Sequence, residues 1–446
     1  VKRLRALGWL LVAAPAWSCA GEAPVRHQWT LTLRTDAPVP VVGDRLLVEV
    51  VREDGALACD ACRRLLDASR LAEWPISFGI GETSTTPLRV RARLHRARAV
   101  GLDGAPRPES TVDVVAALPR VPGPIAMELR MRCFGVAATS EESCDPALGE
   151  LAPIATAAPG AGDLSLVPGS WSESTSPACA AAAPEGMACV PGGLFFFTGF
   201  DGDDATRDQL VRVSSFFADR DEMTVGRARL LLATKRGQGL PTLRRNDTSP
   251  TSVCAYVGQT DASNDMRALN CVSRPVAEAL CIADGKRLLT EAELAYAAGN
   301  GARATRFPWG EDEDICAHAI VARGAAIGEI DPPDLSIECR SQGPRTAPFG
   351  PVIGGSPADV TTDTGDLRNL GGNLAEWVAG TFAPLKDACW SARPLLVDPL
   401  CTTGTGGVVR GGSWRDEAWT ASSRFRVSSS LSGDASVGVR CARDAR

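Results

Sequence analysis

Fifteen cysteines in 446 residues restrict the fold more than any other feature of the sequence. Cys19 stands apart from the rest. It follows a basic start, Val1-Lys-Arg-Leu-Arg5, then an apolar run from Ala6 to Trp17, and lies in the small-residue stretch Ser18-Cys19-Ala20. Charge, a short apolar run and small residues, in that order, read as an export leader over residues 1–20 rather than a membrane span. Two processing routes stay open: lipidation at Cys19, and ordinary cleavage after Ala20. With Cys19 set aside the cysteines are even in number. In an exported chain that reads as a framework of up to seven disulfides, with connectivity not readable from sequence. The expectation is an exported bacterial envelope protein, attached to the membrane by a lipid on Cys19.

A net charge of -6 argues against nucleic acid as a partner, because phosphate binding needs a basic surface. The length suggests two or three domains, and 44 Gly with 31 Pro point to much turn and loop.

Residues 21–136 read as an all-β, sandwich-like domain. Trp29, Leu31 and Leu33 alternate with polar neighbours, as do Val90, Ala92 and Leu94, and then Ile125, Met127, Leu129, Met131 and Cys133. A period of two between Gly/Pro/Asp turns is the mark of half-buried antiparallel strands. Cys59-Asp-Ala-Cys62 lacks the setting of a redox or zinc motif and is expected in disulfides, to each other or to other cysteines. His95 falls on the polar face of its strand and is expected to be solvated. Residues 137–184 are rich in Ala, Pro, Gly and Ser, which reads as a linker pinned by Cys144 and Cys179.

A second domain is expected over 185–446. Leu194–Phe197 and Val211–Phe217 read as strands, and Thr224 caps a helix to about Arg236 with Gly237 as its stop. Another helix runs from Pro275 to Ala283. Thr290-Glu-Ala-Glu293 is a capping box, and Gly299 ends the helix it opens. Within this half, Asn-Leu-Gly-Gly-Asn-Leu-Ala-Glu-Trp (369–377) and Arg-Gly-Gly-Ser-Trp (410–414) stand out. Glycines let a backbone turn its carbonyls inward, and Asn369 and Glu376 add side-chain oxygens, a donor set suited to calcium. On spacing alone the stretch is equally an ordinary glycine turn between short strands.

These segments, in order, resemble the formylglycine-generating enzyme (sulfatase-modifying factor) family. The resemblance rests on Val190-Pro-Gly-Gly193, Asp221-Glu-Met-Thr224, Gly285-Lys-Arg-Leu-Leu-Thr-Glu-Ala-Glu-Leu-Ala-Tyr-Ala-Ala298 and Phe307-Pro-Trp-Gly310. Gly372-Asn-Leu-Ala-Glu-Trp377, Arg410-Gly-Gly-Ser-Trp414 and Val437-Gly-Val-Arg440 complete it. It covers roughly residues 185 to 446 and implies the family's C-type-lectin-like α+β fold, with much irregular loop. It also implies structural calcium held by Asn369, the carbonyls of Gly372 and Leu374, and the Glu376 carboxylate.

The family's oxidase chemistry uses copper on two cysteines that follow the Arg-Gly-Gly-Ser motif, since thiolates hold the soft cuprous ion. Those positions fall here on Asp416 and Ala421. No copper is expected. Nor is iron of the family's non-haem type, because His27, His95 and His318 are scattered over three regions. Glu311 to Asp314 read as solvated loop, and Ser413 has no neighbouring histidine to act as base. Arg287, Arg410 and Arg440 are read as scaffold residues in ion pairs or bonds to backbone. The expectation is a binding module for a peptide, protein or glycan, with Trp414 and Asp416 in its cleft. An oxygen-dependent metalloenzyme with other ligands and a structural surface protein are the alternatives.

Overall fold

The computed structural model describes residues 27–81, 86–175, 177–199, 208–234, 240, 242–243, 254–323, 338–339 and 356–445. The leader, Cys19 and Gly237 lie outside them.

The N-terminal half contains β1 (Gln28–Thr35), β2 (Arg45–Arg52), β3 (Arg63–Asp67), β4 (Ile76–Gly81), β5 (Leu88–His95), β6 (Thr111–Ala117) and β7 (Pro124–Leu129). Three short strands follow: β8 (Glu142–Cys144), β9 (Leu151–Pro153) and β10 (Ala158–Pro159). They form two four-stranded sheets, β10-β7-β1-β4 and β3-β2-β5-β6, with β8 and β9 as a separate pair. The alternation read from sequence faces a single core, where Leu31, Leu33, Val90, Ala92, Leu94, Ile125 and Leu129 are buried. Strand β7 stops at Leu129, earlier than the pattern suggested. The Met131 amide donates to Asp36 Oδ1 at 2.7 Å, and Met131–Cys133 folds into a 3₁₀ turn.

Two further expectations are corrected in this half. Residues 137–184 are not a bare linker: β10 extends the first sheet by pairing with β7, and Ala157 and Leu166 are buried. Cys144 and Cys179 do pin the segment, by disulfides to Cys133 and Cys189. A segment poor in large apolar residues can order when backbone pairing and a disulfide do the work. His95 is 3% exposed rather than solvated, with Nδ1 facing the Arg96 carbonyl at 3.0 Å. Burial holds its pKa below the ordinary histidine value.

The C-terminal half has β11 (Met187–Val190), β12 (Gly193–Phe197), β13 (Gln209–Val213) and β14 (Phe216–Asp219), then α1 (Val225–Ala233) and α2 (Arg274–Ala283). After these come β15 (Arg287–Leu288), α3 (Glu291–Ala298), β16 (Ala375–Trp377), β17 (Leu395–Val397), β18 (Gly407–Arg410), β19 (Arg426–Ser429), β20 (Val437–Gly438) and β21 (Cys441–Asp444). Three small sheets result, β11-β14-β21-β15, β12-β13-β17 and β19-β18-β16-β20. The run Val211–Phe217 is thus two strands, broken where Ser214 turns to bond Asp398.

The Thr290 capping box is present, with Glu293 reaching back to the Thr290 amide, and Gly299 caps the far end. Helix α1 is capped by Thr224 but ends at Ala233. The Thr234 hydroxyl bonds the Leu231 carbonyl there, and its backbone leaves the helical region. All fourteen described cysteines are paired; in the C-terminal half Cys281–Cys441 ties α2 to β21. Cys59 and Cys62 bond to each other. The two halves meet through β12 and β13, whose Leu194, Phe196 and Leu210 belong to the N-terminal core cluster.

Candidate functional site

Strand β16 carries Glu376 between two sheet partners: Glu376 lies opposite Arg410 of β18 and beside Gly438 of β20. The turn that feeds β16 is made possible by Asn369 and Asn373, both with left-handed backbone (φ 57 and φ 62), a region asparagine tolerates better than most residues. Their side-chain amides converge on one carboxylate that the sequence reading passed over. Glu222, just ahead of the Thr224 cap, accepts from Asn369 Nδ2 at 3.2 Å, Asn373 Nδ2 at 2.8 Å and the Leu374 amide at 3.1 Å. Burial, reinforced by the neighbouring Glu376 charge, pushes its pKa up to about 8.

Glu376 does not stand open. Arg440 Nε lies 2.9 and 3.1 Å from its two oxygens, and Arg440 Nη2 lies 2.7 Å from Oε1. The same guanidinium donates to the carbonyls of Asp219 at 2.9 Å and Arg368 at 2.6 Å. Both side chains of the pair are sealed from solvent, at 0% and 2% exposure. Asn369 Oδ1 is taken by the Ser356 amide at 2.8 Å. The two side-chain members of the implied calcium set, Asn369 and Glu376, are therefore engaged within the protein as placed, and a cation already sits against Glu376. Among the described residues, no three His, Cys, Asp or Glu side chains are grouped so as to hold a metal ion. One buried carboxylate oxygen nearby, Asp359 Oδ1, has no hydrogen-bond partner, and burial pushes that group up to about 7.

A second buried knot joins α3 to the sheet. Glu291 takes Arg410 Nη1 at 2.9 Å and Arg426 Nε at 2.6 Å. Arg287 pairs with Glu293 at 2.7 Å. Arg287, Arg410 and Arg440 are thus all in ion pairs. Arg426 and Glu291, which no sequence signal had linked, complete the set; a lone arginine in a strand pattern, Arg426-Val-Ser-Ser429, was the available clue.

The Arg-Gly-Gly-Ser turn packs directly on the Asn369 turn. Gly411 (φ 94) needs its lack of a side chain, because an added Cβ would lie 2.8 Å from the Leu370 carbonyl oxygen. Trp414 does not line a cleft as expected. It is 0% exposed, and its indole N–H donates to Ala435 O at 3.2 Å, because so large an apolar ring gains most from core packing. Ala421 is also 0% exposed, whereas Asp416 is half-buried, with its pKa raised by burial against the pull of its hydrogen bonds to Ser413. His318 stacks on Trp309 at 5.0 Å, and its Nε2 lies 3.0 Å from Asp312 Oδ2.

Comparison with known proteins gives a consistent result for the C-terminal half. A curated relative, the formylglycine-generating enzyme of Streptomyces coelicolor (strain ATCC BAA-471 / A3(2) / M145), is 31% identical over 166 residues, 36% of this chain and 48% of that protein. The chain thus spans about half the length of the curated relative it matches. Among solved structures, PvdO from Pseudomonas aeruginosa is similar at 21% identity and a TM-score of 0.39, covering 58% of this chain and 94% of its own. Treponema denticola variable protein 1 is similar at 16% identity and a TM-score of 0.37, with the same coverage. The model of the sulfatase-modifying factor enzyme 1-like domain matches residues 172–445, beginning ahead of the expected boundary at 185 and taking in the Cys179–Cys189 staple. Over more than half its length, then, this chain belongs to the sulfatase-modifying factor enzyme 1-like family.

Proposed function

We propose that this is an exported envelope protein whose family domain, in the C-type-lectin-like arrangement, recognises a peptide, protein or glycan instead of oxidising a substrate. One observation carries the reading: the two positions where the family places copper-binding thiolates hold Asp416 and Ala421, and Ala421 is sealed in the core. No other described cysteine can take their place as a thiolate, since each is spent in a disulfide. The purified full chain, supplied with copper(I) or iron(II) and a cysteine-bearing peptide, is expected to consume oxygen at the background rate. Metal-dependent turnover would overturn the reading and restore the oxygen-dependent alternative.

Dense disulfides accord with an oxidising compartment. Attachment by a lipid at Cys19 is part of the proposal, resting on the leader-like sequence before it. In a bacterial host, Cys19→Ala should release the chain from the membrane fraction; unchanged membrane retention would remove the anchor from the model. Calcium at Asn369, Gly372, Leu374 and Glu376 would have to share Glu376 with Arg440. In this reading the guanidinium is the standing cation, and calcium binds only by competing with it.

A further inference from the structure

The junction between the two halves gathers arginines that none of the preceding chemistry uses. Just beyond β5, Arg96 and Arg98 turn toward the C-terminal half. The Arg96 guanidinium carbon lies 4.5 Å from the centroid of the Phe196 ring in β12. Both arginines share one carboxylate, Asp208, with Arg98 Nε at 3.2 Å and Arg96 Nη1 at 3.9 Å. From the other side, the segment ahead of β19 brings Arg424. Arg98 and Arg424 line the same crevice, together with Thr198 and Ser423.

The guanidinium donors here are short of acceptors. Among the described residues, no carboxylate lies within ion-pair distance of the Arg424 guanidinium and no hydrogen bond reaches it. Arg96 Nη1 is buried without a hydrogen-bond partner. Asp44 and Glu311 accept from the Ala97 and Arg306 amides; they offset part of the positive charge, but neither gives the Arg96 or Arg424 guanidinium a hydrogen-bond acceptor. Glu313 pairs with Arg306. Burial and the neighbouring Arg98 lower the pKa of Arg96 to about 10, and the same two causes lower that of Arg424. Guanidinium groups crowded against one another, half out of water and short of acceptors, are costly unless something negative completes them. Their planar forks match the oxygens of a phosphate or sulfate group, and the Thr198 hydroxyl lies in the same crevice, whereas the Ser423 hydroxyl already donates to the Thr305 carbonyl at 2.6 Å.

We propose that Arg96, Arg98 and Arg424, with Thr198 at the rim, form a binding site for a dianionic oxyanion, a phosphate or a phosphate monoester carried by a larger ligand. Among the described residues, the Arg424 guanidinium and the buried Arg96 Nη1 lack hydrogen-bond acceptors, which the several oxygens of a phosphate can supply at once and a two-oxygen carboxylate cannot. The site needs both halves of the chain. It does not depend on whether the family domain acts as a recognition module.

Calorimetric titration of the full chain with inorganic phosphate, inorganic sulfate and acetate tests this. Saturable binding of the two dianions is expected, with acetate weaker by about tenfold or more. Arg98→Gln and Arg424→Gln should each weaken phosphate binding by about tenfold, and the double variant should abolish it. Circular dichroism and the melting temperature in phosphate-free buffer establish that each variant is folded. Arg424→Lys provides a second, milder probe, which keeps the charge, loses the fork and should bind at an intermediate level. A sugar phosphate and vesicles containing phosphatidic acid then distinguish a soluble ligand from a lipid headgroup. Asp201, Asp203 and Asp204 lie outside the described residues. No saturable binding by wild type, or equal binding by wild type and the folded double variant, overturns the proposal.

Discussion

The turns at 369–377 and 410–421 pack against each other, and the contrast between them is instructive. The Trp414 backbone amide donates to Asn373 O at 3.0 Å, and β16 pairs with β18, so the two turns share one framework. In the first, every polar side chain has a use: Asn369 and Asn373 hold Glu222, and Glu376 holds Arg440. In the second, the glycines and Trp414 preserve the packing, and Asp416 and Ala421 occupy the positions that the resemblance assigns to the family's metal chemistry. A buried ion pair cannot lose one partner cheaply, so the scaffold turn is constrained whatever the protein does. A half-exposed position carries no such constraint, and its chemistry can change while the fold stays.

The contrast breaks most sharply at Arg440. Arg440→Met leaves Glu376 buried beside Glu222 with no cation, and should cost about 3–5 kcal/mol in chemical denaturation. Calcium sharpens the same experiment. If the guanidinium is the standing cation, wild type gains nothing from calcium and contains none by metal analysis. About one calcium per purified chain, with stability lost on chelation, would instead make the ion a partner of Glu376.

A much smaller effect is expected at Asp416. Burial holds its acid above the ordinary 3.8, so the folded chain keeps a proton that the unfolded chain has already lost. Its contribution is therefore most favourable below that value and declines as pH rises from 3.8 through the raised folded pKa. Asp416→Asn should flatten this slope while changing stability at neutral pH by less than about 1 kcal/mol. Urea titrations at about pH 4 and about pH 7 measure it. A loss as large as that at Arg440 would show that the second turn is as constrained as the first.

Much of this molecule was legible in its residues because the controlling interactions are local. The alternation in β1, β5 and β7 follows from side chains pointing to opposite faces. The Thr290–Glu293 box and the Pro275 start are set within one turn of helix. Residues 137–184 misled because composition reports the lack of a core, and β10 needs only β7 and a backbone to pair with. The sites were less legible for a different reason. Asn369 and Glu376 announce oxygen atoms, and nothing in their spacing says what those atoms face.

Strand pattern, capping, export-type cysteine content and family membership thus belong to the sequence alone. The meeting of Glu222 with Asn369 across 147 residues, and of Arg440 with Glu376 across 64, was decided by the tertiary structure. So was the placing of Arg98 beside Arg424 across the junction of the two halves. Periodicity and caps are fixed by neighbours along the chain. Which carboxylate a buried guanidinium finds depends on where distant segments are brought together, and on the cost of leaving either charge alone.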